Sequence, residues 1–149
     1  MAIMDAKWEF SDNQDVASGS PSGTTVNSTN LVDLGANAED YWGSAVTMDV
    51  GEAGELEWTV EVSTEATVAG TVTVTLQTAA ALSTSHLSSG TTIATATAFA
   101  AASAIGTKRS VKVPSGTIQR YLEVVYTISG AALTAGKFDS YICLDHSTP

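Results

Sequence analysis

Polar and apolar residues alternate over several stretches of this chain. That period of two arises when a strand sends successive side chains to opposite faces of a sheet. Leu56, Trp58, Val60 and Val62 alternate with Glu57, Thr59, Glu61 and Ser63, and Val72, Val74 and Leu76 alternate with Thr71, Thr73, Thr75 and Gln77. Each stretch predicts a strand with one apolar and one wet face. The residues between them, 64–70, predict a hairpin connection ending in a permissive glycine. Further strands are predicted over 45–50, 92–98, 109–113, 120–129 and 137–145. None has an internal proline: Pro21, Pro114 and Pro149 fall in a loop, at a strand end and at the terminus, where sheets tolerate them.

In the segment beginning at Arg120, Leu122, Val124, Tyr126 and Ile128 form an apolar face. Tyr121, Val125 and Thr127 leave the other face only partly polar, so it is expected to be covered by a loop or another chain. The last strand sets Phe138, Ser140, Ile142 and Leu144 against Asp139, Tyr141, Cys143 and Asp145. Residues 18–30, SGSPSGTTVNSTN, are small and polar and predict a long surface loop. Residues 30–35 read as a helical turn or a strand, and 79–89 as room for a short helix. Trp8 and Phe10 alternate with Lys7 and Glu9 in a short strand-like segment that pairs with the domain or reaches to a neighbour, within an N-terminal segment, residues 1–30, expected to be extended. Seven or eight short strands joined by Gly- and Ser-containing turns, with no amphipathic helix, indicate an all-β chain folded as a sandwich or closed barrel. At 149 residues one domain is expected, residues 1–149, and a jelly-roll β-sandwich is the chosen architecture. Periodicity alone does not separate it from an immunoglobulin-like sandwich.

Charged residues make up only 15% of the chain, against the usual ~25%, so the surface is rich in hydroxyls and small residues. The net charge of −10 argues against nucleic acid, because phosphate affinity needs clustered cations. Residues 1–65 hold thirteen of the sixteen acids, whereas Lys108, Arg109, Lys112, Arg120 and Lys137 lie in the last third. Either one part of the surface attracts a neighbouring subunit, or the fold interleaves the segments and cancels the asymmetry. The lone Cys143 makes no internal disulfide and is expected to be a buried thiol. A signal peptide and a membrane span are not expected, since no basic-then-apolar leader and no run of eighteen apolar residues occurs.

Catalytic chemistry is thin. His86 and His146 stand in a polar run and near the carboxyl end, where solvated side chains are expected, and no nucleophile elbow, phosphate loop or dinucleotide fingerprint is found. Glu57 and Glu61 share a strand face, and Asp49, Glu52 and Glu55 crowd the turn before it. Paired carboxylates can serve a glycosidase, but on a strand they usually face water, and the spacing matches no calcium loop. No catalytic, cofactor or metal residue is therefore expected, and the chain is read as a non-enzyme. Trp58 and Tyr126 are in phase with apolar faces and read as core. Tyr41 and Trp42 are adjacent in a predicted loop, where they suit a subunit contact or a sugar.

The last third, SVKVPSGTIQRYLEVVYTISGAALTAGKFDSYICLD, resembles the small jelly-roll cement (decoration) proteins of tailed bacteriophages. The similarity rests on the Val113–Pro114 step, on RYLEVVYTISG from Arg120 to Gly130 and on LTAGKFDSYICLD. The order SDNQDV then TNLVDLG, within 11–35, is also similar. Residues 39–65 and the 18–30 loop carry no matching motif. The resemblance implies a homotrimer that binds major capsid protein on the outer surface of the assembled head and stabilises it. A protein of that kind is made in the host cytoplasm and carried on the virion. Trp8, Phe10, Tyr41, Trp42, Lys108, Arg109 and Arg120 are the expected contact residues. The competing expectation is a carbohydrate-binding β-sandwich that serves adhesion.

Overall fold

The structure, a computed structural model, describes residues 8–17, 22–35, 38–39, 45–46, 56–67, 70–100, 102–114 and 118–144. In chain order the strands are β1 (Glu9–Asp15), β2 (Thr25–Asn27), β3 (Val32–Asp33), β4 (Ala38–Glu39), β5 (Ala45–Val46), β6 (Leu56–Thr67) and β7 (Thr71–Ala79). They are followed by β8 (Leu82–Ser83), β9 (His86–Leu87), β10 (Thr91–Thr95), β11 (Lys108–Lys112), β12 (Tyr121–Ser129) and β13 (Ala135–Leu144). β4 with β5 and β8 with β9 make two small hairpins, and the other strands build two antiparallel sheets. One sheet runs β1-β13-β6-β11; the other runs β10-β7-β12-β2, with β3 also on β12.

The pairing is nested. β7 pairs with β10, β6 with β11, β2 and β3 with β12, and β1 with β13. A long hairpin whose partners lie progressively farther apart in sequence is wound so that β13 also meets β6 and β12 also meets β7. That order is the jelly roll, which alternation had suggested without separating it from other sandwiches.

The apolar faces meet between the sheets. Phe10, Trp58, Val60, Val62, Phe138 and Ile142 come from one, and Val72, Val74, Leu76, Leu122, Val124, Tyr126 and Ile128 from the other; all are buried. Phe138 anchors the centre, with ring centroids 5.3 Å from Phe99 in an edge-on contact and 5.6 Å from Tyr126. The polar tips of the buried aromatics are satisfied: Trp58 Nε1 donates to Ser140 Oγ at 2.9 Å and the Tyr126 hydroxyl to Ser11 Oγ at 3.0 Å. One side of the sandwich is stitched shut by Gln14, whose Nε2 donates to the Asn27 carbonyl at 2.7 Å and whose Oε1 accepts from the Thr29 amide at 2.9 Å.

Several local expectations change. Residues 64–70 are no hairpin: β6 continues to Thr67 and lies in the other sheet from β7, so the chain crosses between sheets. Turn residues and alternation look the same in both cases. Gly70 serves close approach, since a Cβ there would lie 2.5 Å from the Ala131 carbonyl oxygen. The 18–30 stretch is not all loop, because it contains β2. Val26 packs on the core there, and the buried Ser28 hydroxyl accepts from the Val124 amide at 3.1 Å while donating to the Asn30 carbonyl at 2.7 Å. Residues 30–35 hold the strand β3, and 79–89 hold the β8–β9 hairpin in place of a helix. The strand expected over 45–50 is β5, with 47–50 outside the described residues. The other predicted strands shift by one to three residues at their ends. Trp58 and Tyr126 are core as expected, whereas Cys143 is only half-buried, on the outward phase of β13.

Two measurements test this core. Phe10→Ala empties a fully enclosed site and is expected to cost about 3–5 kcal/mol in urea unfolding. Burial holds the Tyr126 phenol well above its ordinary pKa of 10.0. The folded chain therefore keeps that proton while the unfolded chain releases it, so this contribution is complete below about pH 10 and is lost as pH rises. Tyr126→Phe is expected to cost about 1 kcal/mol at neutral pH and to flatten the alkaline fall in melting temperature.

Candidate functional site

The two sheets present different outer faces. On β6, β11 and β13, Trp58, Val60, Val62 and Phe138 point inward, so Glu57, Glu61, Lys108, Lys112 and Asp139 take the outward phase. The Lys108 amine lies 2.9 Å from Glu61 Oε2, which raises its pKa, with a lesser contribution from Tyr141. Burial raises the Tyr141 phenol. This sheet carries fixed charge of both signs.

The outward phase of the other sheet is different. β7 offers Thr71, Thr73, Thr75 and Gln77; in register beside them stand Ser129, Thr127, Val125 and Glu123 of β12. Thr25 of β2 continues the Thr127 row and Thr95 of β10 the Thr75 row. The hydroxyls knit across strands, as in the 2.7 Å bond between Thr71 and Ser129. Glu123 is the one carboxylate among these positions, and its side chain is 2% exposed. Its Oε2 accepts from the Leu87 amide at 3.0 Å and its Oε1 bonds His86 Nδ1, so the β8–β9 hairpin is latched over it. Half of the His86 side chain remains exposed; the residue is a latch and not the free loop histidine expected. The expectation that a loop or chain covers this face of β12 is met at Glu123 by the hairpin. The sequence signal for the latch was a lone carboxylate in the otherwise apolar run YLEVVY.

The expected contact residues do not converge. Lys108 is exposed on the edge strand β11 and paired with Glu61. Arg109 is in phase with the core: its guanidinium carbon lies 5.5 Å from the Phe99 ring centroid, Nη1 donates to the Lys108 carbonyl at 3.1 Å, and Nε is buried without a hydrogen-bond partner. A cation turned inward on an edge strand is a known device against edge-to-edge pairing. Arg120 precedes β12 in the other sheet. Its Nε and Nη2 each reach an Asp33 carboxylate oxygen at 2.9 Å, and it lies 4.6 Å from the Tyr121 ring centroid. The Lys108–Glu61 and Arg120–Asp33 pairs join basic and acidic segments within one chain, as the interleaving alternative required. Trp8 packs half-buried against the core. Phe10 is 0% exposed and so has no surface to give a partner, which corrects its expected contact role: it points inward from β1. Tyr41 and Trp42 lie outside the described residues, as do His146, Asp49, Glu52 and Glu55.

Among the described residues no group of three or more His, Cys, Asp or Glu side chains is placed to hold a metal ion, and no helix is long and apolar enough to cross a membrane. Glu61 is engaged by Lys108, and Glu57 stands opposite Lys112 and Cys143.

These features define an all-β jelly-roll sandwich whose distinctive chemistry lies on its broad faces. The chain belongs to the Bbp16 family: the family model matches residues 10–142, from within β1 to within β13 and so across both sheets. A search of curated proteins finds no match.

Two expected outcomes follow from the geometry. Removing the Glu123 carboxylate in Glu123→Leu leaves the Leu87 amide without its acceptor. Faster amide exchange across β8–β9, with the core strands still protected, is the expected result. The hydrogen bonds from Arg120 hold the Asp33 carboxyl below its ordinary value of 3.8. Stabilisation from that pair is thus present above about pH 4 and is lost as pH falls through the lowered value. Both groups are exposed, so the effect is small. Arg120→Ala is expected to lower the melting temperature slightly at neutral pH and not at all near pH 2.

Proposed function

We propose that this chain is a non-catalytic structural protein of a tailed-bacteriophage virion, a cement protein that binds the outer surface of the assembled head and stabilises it. The observation that carries the reading is a spatial one. The segments resembling cement proteins lie at opposite ends of the sequence, within 11–35 and 113–145, yet in the fold they are partners. β1 pairs with β13, and β2 and β3 pair with β12. The resemblance therefore falls on one contiguous half of the sandwich, as expected where a shared fold constrains the sequence.

The rest of the surface is in keeping with a contact protein. It combines a hydroxyl-rich sheet face, a charged sheet face and a low overall charge density. Binding to major capsid protein in the assembled shell, and not to its dissociated subunits, stabilises the shell by mass action, about 2.7 kcal/mol per site at a hundredfold excess over Kd. Many sites acting together multiply the effect. The resemblance further implies a homotrimer. Of the expected contact residues, Trp8, Lys108 and Arg120 are accessible or partly accessible.

Co-sedimentation with expanded, undecorated heads of the cognate phage, run beside a panel of polysaccharides, tests the proposal. Saturable binding to heads at a fixed copy number, with no glycan binding, is expected. Glycan binding without head binding would overturn it in favour of an adhesive module.

A further inference from the structure

The β8–β9 hairpin has few ties to the sheet it covers. Its two strands are two residues long each and pair with one another. Within residues 80–90, Leu82 and Leu87 are half-buried and the rest are exposed. Its turn and its base carry Thr84 at φ 64° and Ser89 at φ 56°, a left-handed conformation that residues with a Cβ adopt at a cost. A segment so poor in buried apolar contact opens more readily than the strands beneath it. What ties it to β12 is Glu123, whose Oε1 meets His86 Nδ1 and whose Oε2 accepts from the Leu87 amide.

The surroundings of that carboxylate hold little other charge. Its side chain is 2% exposed. Gln77 of β7 stands in register beside it, with Thr92 of β10 beyond, and Tyr121 and Val125 share its face of β12. Tyr121 lies under Arg120, whose guanidinium is held by Asp33 of β3, and β2 sets Thr25 and Asn27 farther along β12. Among the described residues His86 is the one ion-pair partner of Glu123. A carboxylate shut away from water is costly unless a counter-charge meets it. Histidine supplies that charge only while it holds its second proton, which it exchanges between about pH 5 and 8.

We infer that the β8–β9 hairpin is a proton-operated latch, closed over Glu123 by the imidazolium form of His86 and released when His86 gives that proton to solvent. With the imidazolium in place, the two carboxylate oxygens receive one charged and one neutral donor, and charge is balanced under the hairpin. Deprotonation leaves a buried carboxylate without a counter-charge, and opening of the hairpin returns it to water. Closure and protonation of His86 thus favour each other. The stabilisation is present while His86 carries its proton and is lost as pH rises. Opening also puts a charged carboxylate on the outer face of the β10-β7-β12-β2 sheet, where its neighbours Gln77, Thr75 and Val125 are uncharged. The inference stands apart from the head-binding reading, because the latch requires only the geometry around Glu123.

Amide exchange with water in the full chain, read residue by residue by NMR at about pH 5.5 and about pH 8, tests this. Protection factors, which remove the intrinsic pH dependence of exchange, are compared between hairpin and core. The Leu87 and Ser88 amides, bonded to Glu123 and to the Ala81 carbonyl, report the hairpin; the Val62 and Val72 amides, bonded to the Thr107 and Phe99 carbonyls, report the core. The ratio of hairpin to core protection is expected to fall about tenfold from the lower pH to the higher. His86→Gln, at a half-exposed side chain whose loss leaves the core intact, holds the position neutral and is expected to give the low ratio at both pH values. Glu123→Gln removes the buried charge, and the pH dependence is expected to vanish with it. A wild-type ratio equal at the two pH values overturns the inference. So does a fall of the same size in His86→Gln, which would put the titrating group elsewhere. Should circular dichroism show that Glu123→Gln does not fold, the wild type and His86→Gln decide the question between them.

Discussion

The structure depends on pairing the two ends of the chain. β13 lies between β1 and β6, and β12 lies between β2 and β7, so the last third of the sequence supplies one inner strand of each sheet. Until those strands arrive, β1, β2 and β3 have no hydrogen-bonding partner in either sheet, and β6 and β7 have only their outer partners β11 and β10. Phe138, Ile142, Leu122, Val124 and Tyr126 then bury together against residues contributed by β1, β6 and β7. Burying each such side chain is worth about 1.5–3 kcal/mol, and each contact closes a long loop first. Folding of this topology is therefore expected to be cooperative and slow beside that of a helical bundle.

That dependence explains where polar groups are tolerated. Ser11, Ser28 and Ser140 are buried because each has a specific partner, the Tyr126 hydroxyl of the opposite sheet for Ser11, the Val124 amide for Ser28 and Trp58 Nε1 for Ser140, and Glu123 is buried because a hairpin folds back to bond both its oxygens. Charge is handled by short pairs, Lys108 with Glu61 and Arg120 with Asp33, that link the acidic first half of the sequence to its basic last third. What is left open is one charged sheet face and one face of hydroxyls. This division is what the described faces of the two sheets offer to other molecules.

The strands were legible where alternation was strict. Residues 56–63 and 71–77 predicted β6 and β7 because apolar and polar residues alternate without interruption, and Trp58 and Tyr126 announced themselves as core by phase. The crossing between those strands was not legible, because a turn that changes sheets and a hairpin use the same residues; only the non-local partners β13 and β12 decide it. β2 was hidden in a polar run because Ser28 earns its burial through hydrogen bonds that a hydropathy pattern does not register. Phe10 was misassigned to a contact surface: a short alternation at the start of a chain says that one side is apolar, not what covers it. The Glu123 latch needed three dimensions, since His86 lies 37 residues from its partner.

We propose that this chain acts by holding an assembled shell together. The most direct measurement is the temperature at which expanded heads of the cognate phage come apart, with and without saturating protein. A rise that grows with free protein concentration is expected, as mass action requires of a ligand that binds the assembled state. Heads that dissociate at the same temperature while the protein is bound at saturation would contradict it.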